Sequence, residues 1–122
     1  MSYRPRAGHA LMGGGLALVV AHGDPATLRV ALSLALAAAS VGDEALVFAN
    51  QSGLALLTHE LPSPDLLELR TLATEAGVRW VACADSLAAM GLSRDALIRD
   101  VELAGAVRFY LAARAAKVSL YL

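Results

Sequence analysis

The chain's one cysteine, Cys83, and its three histidines, His9, His22 and His59, are the residues from which we begin the search for nucleophilic or metal chemistry in this 122-residue sequence. A cysteine thiolate is a nucleophile, and a histidine can take up its proton. No two of the four have the spacing of metal ligands, so we expect no metal site. A single cysteine forms no disulfide within the chain, which favours a reducing, cytoplasmic setting. The sulfur of Cys83 is therefore the predicted reacting atom.

Apolar runs and capping signals predict the elements that position these residues. Asp24-Pro25 and Ser63-Pro64 each combine an N-cap residue with a proline at the first helical position. Continuous apolar runs of strand length are typical of strands that are buried on both faces. The predicted strands are 16–21, 45–49, 78–83, 101–103 and 118–122, and the predicted helices are 25–40, 54–58, 64–76, 85–90, 93–99 and 104–116.

This alternation of strands and helices predicts a single α/β domain over residues 16–122. The sheet should be five-stranded and mostly parallel, with helices on both faces. Residues 1–15, which end in three glycines, have no periodicity and are predicted to be a flexible lead-in.

Parallel sheets bind ligands at the carboxyl ends of their strands, where the strand order reverses. With the order 2-1-3-4-5, the reversal would lie between the first and third strands. His22 ends the first of these strands and Cys83 ends the third, so the two would face one crevice, about 4.8 Å apart strand to strand. The predicted site lining comes from the same strand-end segments: Gly23, Asp24, Asn50, Gly53, Ala84, Asp85 and Ser86.

Two local features have opposite effects on the ionisation of the Cys83 thiol. A helix start directly after Cys83 favours the thiolate, because backbone N–H groups point toward it. A carboxylate at Asp85 disfavours the thiolate. The alternative interpretation is a buried structural cysteine, a frequent fate of free thiols.

Composition limits the partners. The net charge of −1 offers no basic surface for nucleic acid. The segment 22–25 stands where a phosphate loop would, but it lacks the glycine repeat and the lysine. The apolar fraction is 57%, yet the longest charge-free apolar stretch, about 30–41, is too short for a membrane span, which needs roughly 20 residues. We attribute the surplus to a homo-oligomer interface.

Two segments carry a family resemblance. The run EAGVRWVACADSLAAMGL at 75–92, followed by DALIRDVE at 95–102, resembles the DsrE/DsrF-like family, with its Gly-Val-x-x-x-x-Ala-Cys pattern, a Ser, a Gly-Leu and an Asp-x-Leu-Ile stretch. The likeness extends from about Leu16 to the end of the chain. The turn Asn50-Gln51-Ser52 departs from it, because related members more often have an aromatic or charged turn there.

The resemblance implies a three-layer α/β/α domain that assembles into trimers or hexamers. It also implies a sulfur-relay function, in which Cys83 carries sulfane sulfur as a persulfide. On the predicted strand order His22 would assist Cys83, and this chemistry requires no cofactor. The partners would be sulfur donor and acceptor proteins or small persulfides. Two alternatives stay open: a non-catalytic oligomeric scaffold or partner-binding module with a structural cysteine, and a peroxide-reducing thiol that needs an external thiol.

Overall fold

The computed structural model describes residues 15–122 of the chain. Apart from Gly15, the predicted lead-in and His9 lie outside the described residues. The elements in chain order are β1 Leu16–Val20, α1 Pro25–Ser40, β2 Ala45–Ala49, a 3₁₀ helix Gln51–Leu57, α2 Pro64–Glu75, β3 Arg79–Cys83, α3 Ala84–Ala89, a 3₁₀ turn Arg94–Ala96, β4 Glu102–Ala104, α4 Ala106–Ala115 and β5 Val118–Tyr121.

All five strands are parallel and lie in the order β4-β3-β2-β1-β5. The expected order 2-1-3-4-5 is wrong, because β2 lies between β1 and β3. The crossover connections through α1 and α2 run in the same direction across the sheet, from β1 to β2 and from β2 to β3. Since parallel crossovers are right-handed, this places both helices on one face. The crossover through α4 returns to the far side of β1 and places α4 on the opposite face, which completes the three layers.

Side-chain alternation along the strands divides the core in two. The larger half lies under α1 and α2, where Leu18, Val47 and Trp80 are buried with Leu28 and Leu32 of α1. The smaller half lies under α4, and Phe109 and Ala112 of that helix cover it. Its strand residues are Val19, Leu46, Phe48 and Val81, with Cys83 and Ala104 at the margin.

Capping sets the helix bounds as the sequence predicts. The Asp24 carboxylate accepts a hydrogen bond from the Thr27 N–H, and the Ser63 hydroxyl accepts one from the Leu66 N–H. Gly42 follows the end of α1 with a φ of +90°, a conformation that glycine adopts without strain.

The predicted helix over 93–99 is reduced to the 3₁₀ turn. Leu97 is extended and buried, and it forms an antiparallel bridge with Thr58. The Ile98 N–H donates to the Leu57 carbonyl. The backbone groups of Leu97 and Ile98 therefore form their hydrogen bonds with the end of the first 3₁₀ helix. This pairing replaces the hydrogen bonds of a further helical turn.

Within residues 15–122, none of the helices has the length and apolar character needed to cross a bilayer.

Candidate functional site

Cys83 ends β3 and is also the N-cap residue of α3. Its side chain is partly exposed and packs at the margin of the smaller core half. It is the chain's single thiol. This partly exposed cysteine at the carboxyl end of an internal strand is the candidate nucleophile.

The helix that follows Cys83 gives its sulfur no direct hydrogen bond. The Cys83 side chain makes no cap contact with the N–H groups of α3, which is only six residues long. Ala84 and Asp85 are exposed, whereas Ser86 is 6% exposed and its hydroxyl points toward the neighbouring loop. The predicted support of a thiolate by this helix start is therefore limited to the weak field of a short helix.

Asn50 is the residue beside Cys83 on the neighbouring strand. Ala49 and Ala82 are the last register partners of β2 and β3, and one further step along both segments brings Asn50 level with Cys83. Asn50 is extended, with φ −138° and ψ 171°, so alternation directs its side chain to the same face as Phe48. Cys83 contacts the same core half as Phe48, so the two side chains share one face of the sheet.

The Asn50 carboxamide has an unsatisfied oxygen. Its Oδ1 is buried and has no hydrogen-bond partner among residues 15–122. A buried acceptor without a donor costs about 1–3 kcal/mol, so such groups in native proteins call for an explanation.

Two serine hydroxyls connect the strand-end loops. The Ser86 hydroxyl accepts the Gln51 N–H at 3.0 Å, which links the ends of β2 and β3. The Ser52 hydroxyl accepts the Gly23 N–H at 3.1 Å and donates to the Ala21 carbonyl, which links the ends of β1 and β2. Gln51 has a φ of +51°, an uncommon value for a residue with a side chain, and its bond to Ser86 helps to hold it.

Glycine is required where the 3₁₀ helix meets β1. A Cβ on Gly53 would lie well under 3.0 Å from the Val20 carbonyl oxygen, and one on Gly23 would overlap the Ser52 carbonyl oxygen in the same way. The absence of both side chains lets the loops after β1 and β2 press together. The two predicted lining glycines thus act through close backbone packing.

His22 is not the strand neighbour of Cys83. It follows β1, and the intervening β2 separates β1 from β3 by two strand spacings, about 9.6 Å. His22 is exposed. The next acidic residue, Asp24, serves as the α1 cap, and the hydrogen bond from Thr27 lowers the pKa of its carboxyl below the usual 3.8. The observed strand order therefore removes the argument that His22 lies beside Cys83 and assists it.

Two cavities of the molecule lie away from Cys83. One of about 280 Å³ opens at the amino ends of the strands, between Leu16, Arg79 and Leu111. Another, of about 460 Å³, lies beside His59 and Arg94, where the His59 Nε2 is 3.0 Å from the Asp95 carbonyl oxygen. In the part of the chain that the structure describes, no three Cys, His, Asp or Glu residues stand together as a metal site.

The sequence predicts Asn50 and Ser86 as lining residues but not Ser52, whose hydroxyl joins the loops after β1 and β2. Hydroxyl-to-amide bonds between loops follow no spacing that could have revealed Ser52. The resulting arrangement is one partly accessible thiol beside one neutral carboxamide, on loops fixed by serine hydrogen bonds. It suits attack by sulfur on a small electrophile.

Similar proteins agree on the fold. No curated protein matches the chain. Among solved structures, a protein of unknown function, MTH1491 from Methanobacterium thermoautotrophicum, aligns with a TM-score of 0.68 at 19% identity, covering 85% of this chain and 96% of that one. The ychN protein from E. coli aligns with a TM-score of 0.68 at 20% identity, covering 89% of this chain and 99% of that one.

The family of the chain is assigned from a match to a sequence profile. The profile described as "DsrE/DsrF-like family" matches residues 15–118, which include all of the described strands except the last residues of β5. The match therefore spans β1 to β4, the first residue of β5, both helical layers and the Cys83 edge: this chain belongs to the DsrE/DsrF-like family.

Proposed function

We propose that this protein carries sulfane sulfur as a persulfide on Cys83. Membership of the DsrE/DsrF-like family is consistent with a role of the sulfur-relay kind. The observation that carries the proposal is the position of the chain's single thiol, which is partly exposed at the carboxyl edge of a parallel sheet. Ligands of such sheets bind at that edge.

Loading is a displacement at sulfur. The Cys83 thiolate attacks the outer sulfur of a donor persulfide, R–S–SH; a new S–S bond forms, the donor's S–S bond breaks, and the donor leaves as R–S⁻. The product is Cys83–S–SH, so the proton stays on the transferred sulfur and the charge is conserved. The donor sulfur is reduced to a thiolate as the Cys83 sulfur takes up the sulfane atom.

Unloading reverses these roles. An acceptor thiolate attacks the outer sulfur, and Cys83 leaves as a thiolate. The reaction needs no cofactor. Its donors and acceptors are persulfide-bearing proteins or small persulfides, and the reducing cytoplasm keeps Cys83 available as a thiol.

The same proposal includes a homo-oligomer, a trimer or hexamer. Its support is the apolar fraction of 57% together with large apolar side chains that stay exposed on α4 and β5, among them Val107 at 72% and Tyr121 at 81%. Exposed apolar surface of this kind marks interaction sites.

Intact-protein mass spectrometry tests the sulfur chemistry. The protein is incubated with polysulfide, beside a Cys83→Ala variant, and then treated with reductant. We expect a gain of about 32 Da per added sulfur that reductant reverses and that the variant lacks, because only a thiolate takes part in this exchange.

Alkylation with iodoacetamide supplies the control. A native protein that gains no sulfur, and whose thiol reacts only after unfolding, would have a buried structural cysteine. The oligomeric scaffold would then be the better description. Rapid oxidation to a sulfenic acid at low peroxide, without sulfur uptake, would instead identify a peroxide-reducing thiol.

A further inference from the structure

We propose that the Asn50 carboxamide binds the outer sulfur of the Cys83 persulfide and so retains the cargo on the protein. This inference rests on the proposed function, since it concerns the loaded form of the same cysteine. It assigns a binding contact to a residue that is neither charged nor nucleophilic.

Placement is the first support. The register of β2 and β3 makes Asn50 the lateral neighbour of Cys83, about 4.8 Å away from backbone to backbone. Both side chains project toward the α4 face of the sheet. An atom added to the Cys83 sulfur therefore lies on the face of the sheet toward which the carboxamide projects.

The unsatisfied oxygen is the second support, and it is independent of the cysteine. Asn50 Oδ1 is buried without a donor among the described residues, although the peptide groups on both sides of it are paired: the Asn50 N–H donates to the Val20 carbonyl and the Asn50 carbonyl accepts the Gly53 N–H. The unmodified Cys83 thiol is not its donor either.

A persulfide supplies the missing partner. The S–S bond places the outer sulfur about 2.05 Å beyond the Cys83 sulfur, and that sulfur carries an S–H. The S–H can donate to Oδ1. If the persulfide loses its proton, rotation about the last side-chain bond of Asn50 exchanges oxygen for the NH₂ group, which donates to the anion. A neutral carboxamide therefore suits both protonation states of the cargo.

The backbone around Asn50 is fixed before loading. Ser86, from the helix that follows Cys83, holds the Gln51 N–H. The helix that begins directly after the thiol thus also sets the position of the turn that begins directly after the carboxamide.

Retention of sulfur by loaded protein tests the contact. Wild type, Asn50→Ala and Asn50→Leu are loaded with polysulfide and desalted. Loss of the added 32 Da to a small thiol is then followed by mass spectrometry. We expect about tenfold faster loss in both variants, the factor that one hydrogen bond provides. Ser93→Ala removes an exposed hydroxyl that caps no helix, and it should behave as wild type.

The alkylation rate of unloaded Cys83 separates binding from general loosening. Faster sulfur loss with an unchanged alkylation rate supports the contact. Equal sulfur loss in all four proteins overturns it, while the carrier function stands. A parallel rise in alkylation and sulfur loss also overturns it, because the variants would merely have exposed the cysteine. If wild type takes up no sulfur, the carrier function fails, and this inference fails with it.

Discussion

Cys83 and Asn50 lie side by side because of the register of two short parallel strands. β3 ends at Cys83, and β2 ends at Ala49, so that Asn50 continues the ladder without belonging to it. At this scale the site depends on backbone register more than on charge.

Close backbone approach at Gly53 makes the first prediction. Gly53→Ala would push a Cβ into the Val20 carbonyl oxygen, which is backbone of β1 and has no room to move. We expect the free energy of unfolding to fall by about 1–3 kcal/mol, as for other overpacked sites. Urea unfolding followed by circular dichroism measures the change.

Gly105→Ala is the matched control. A Cβ there meets no atom within 4 Å, and its φ of −109° suits any residue. The loss should stay below about 1 kcal/mol, the difference between glycine and alanine at an N-cap. Equal losses at the two sites would mean that the strand and the 3₁₀ helix can separate at little cost.

At the scale of elements, the sequence predicts what capping and apolar runs determine. Asp24-Pro25 and Ser63-Pro64 identified both long helices because their signals are local, and β2 was predicted with its observed bounds. Strand order was missed because a right-handed crossover fixes the face of its helix but not how far the next strand lies. The helix predicted over 93–99 is wrong beyond the 3₁₀ turn, because Leu97 pairs with Thr58, which is 39 residues away in the chain.

A buried arginine fixes the 3₁₀ helix against α2 and leads to a second prediction. Arg70 is 5% exposed, and its guanidinium donates to the Leu56 and Thr58 carbonyls. Burial lowers the pKa of Arg70, but an arginine keeps its proton, so the two carbonyls retain a charged donor. Arg70→Met keeps the length of the stem and removes both bonds. We expect a loss of about 2 kcal/mol in the free energy of unfolding.

Arg29→Met makes the same chemical change on the surface. Arg29 lies 3.9 Å from Asp65, and their side chains are 50% and 78% exposed. Such pairs contribute at most about 1 kcal/mol. If the two variants lost equal stability, the buried contacts of Arg70 would contribute no more than a solvated ion pair.

The whole molecule has two unequal faces. Two helices cover one side of the sheet, whereas α4 alone covers the other and has no fully buried residue of its own. Its outer surface exposes Val107, Tyr110 and Leu111, which recur at helical spacing. Beside it, β5 is an edge strand of the described sheet without a charge or a proline to deter pairing. An edge strand that is free to pair, beside an exposed apolar helix, favours a second copy of the chain as the partner.

Oligomer mass therefore provides the last prediction. We expect wild type to sediment as a trimer or hexamer and Tyr110→Glu to shift toward the monomer, because assembly would bury the new carboxylate without a partner. Val41→Glu is the control, since Val41 is 76% exposed but follows α1, away from α4. Sedimentation velocity at several concentrations measures all three proteins. A monomeric wild type would contradict assembly altogether. An oligomer that Tyr110→Glu leaves intact would move the interface away from α4, and one that Val41→Glu alone disrupts would place it at the end of α1.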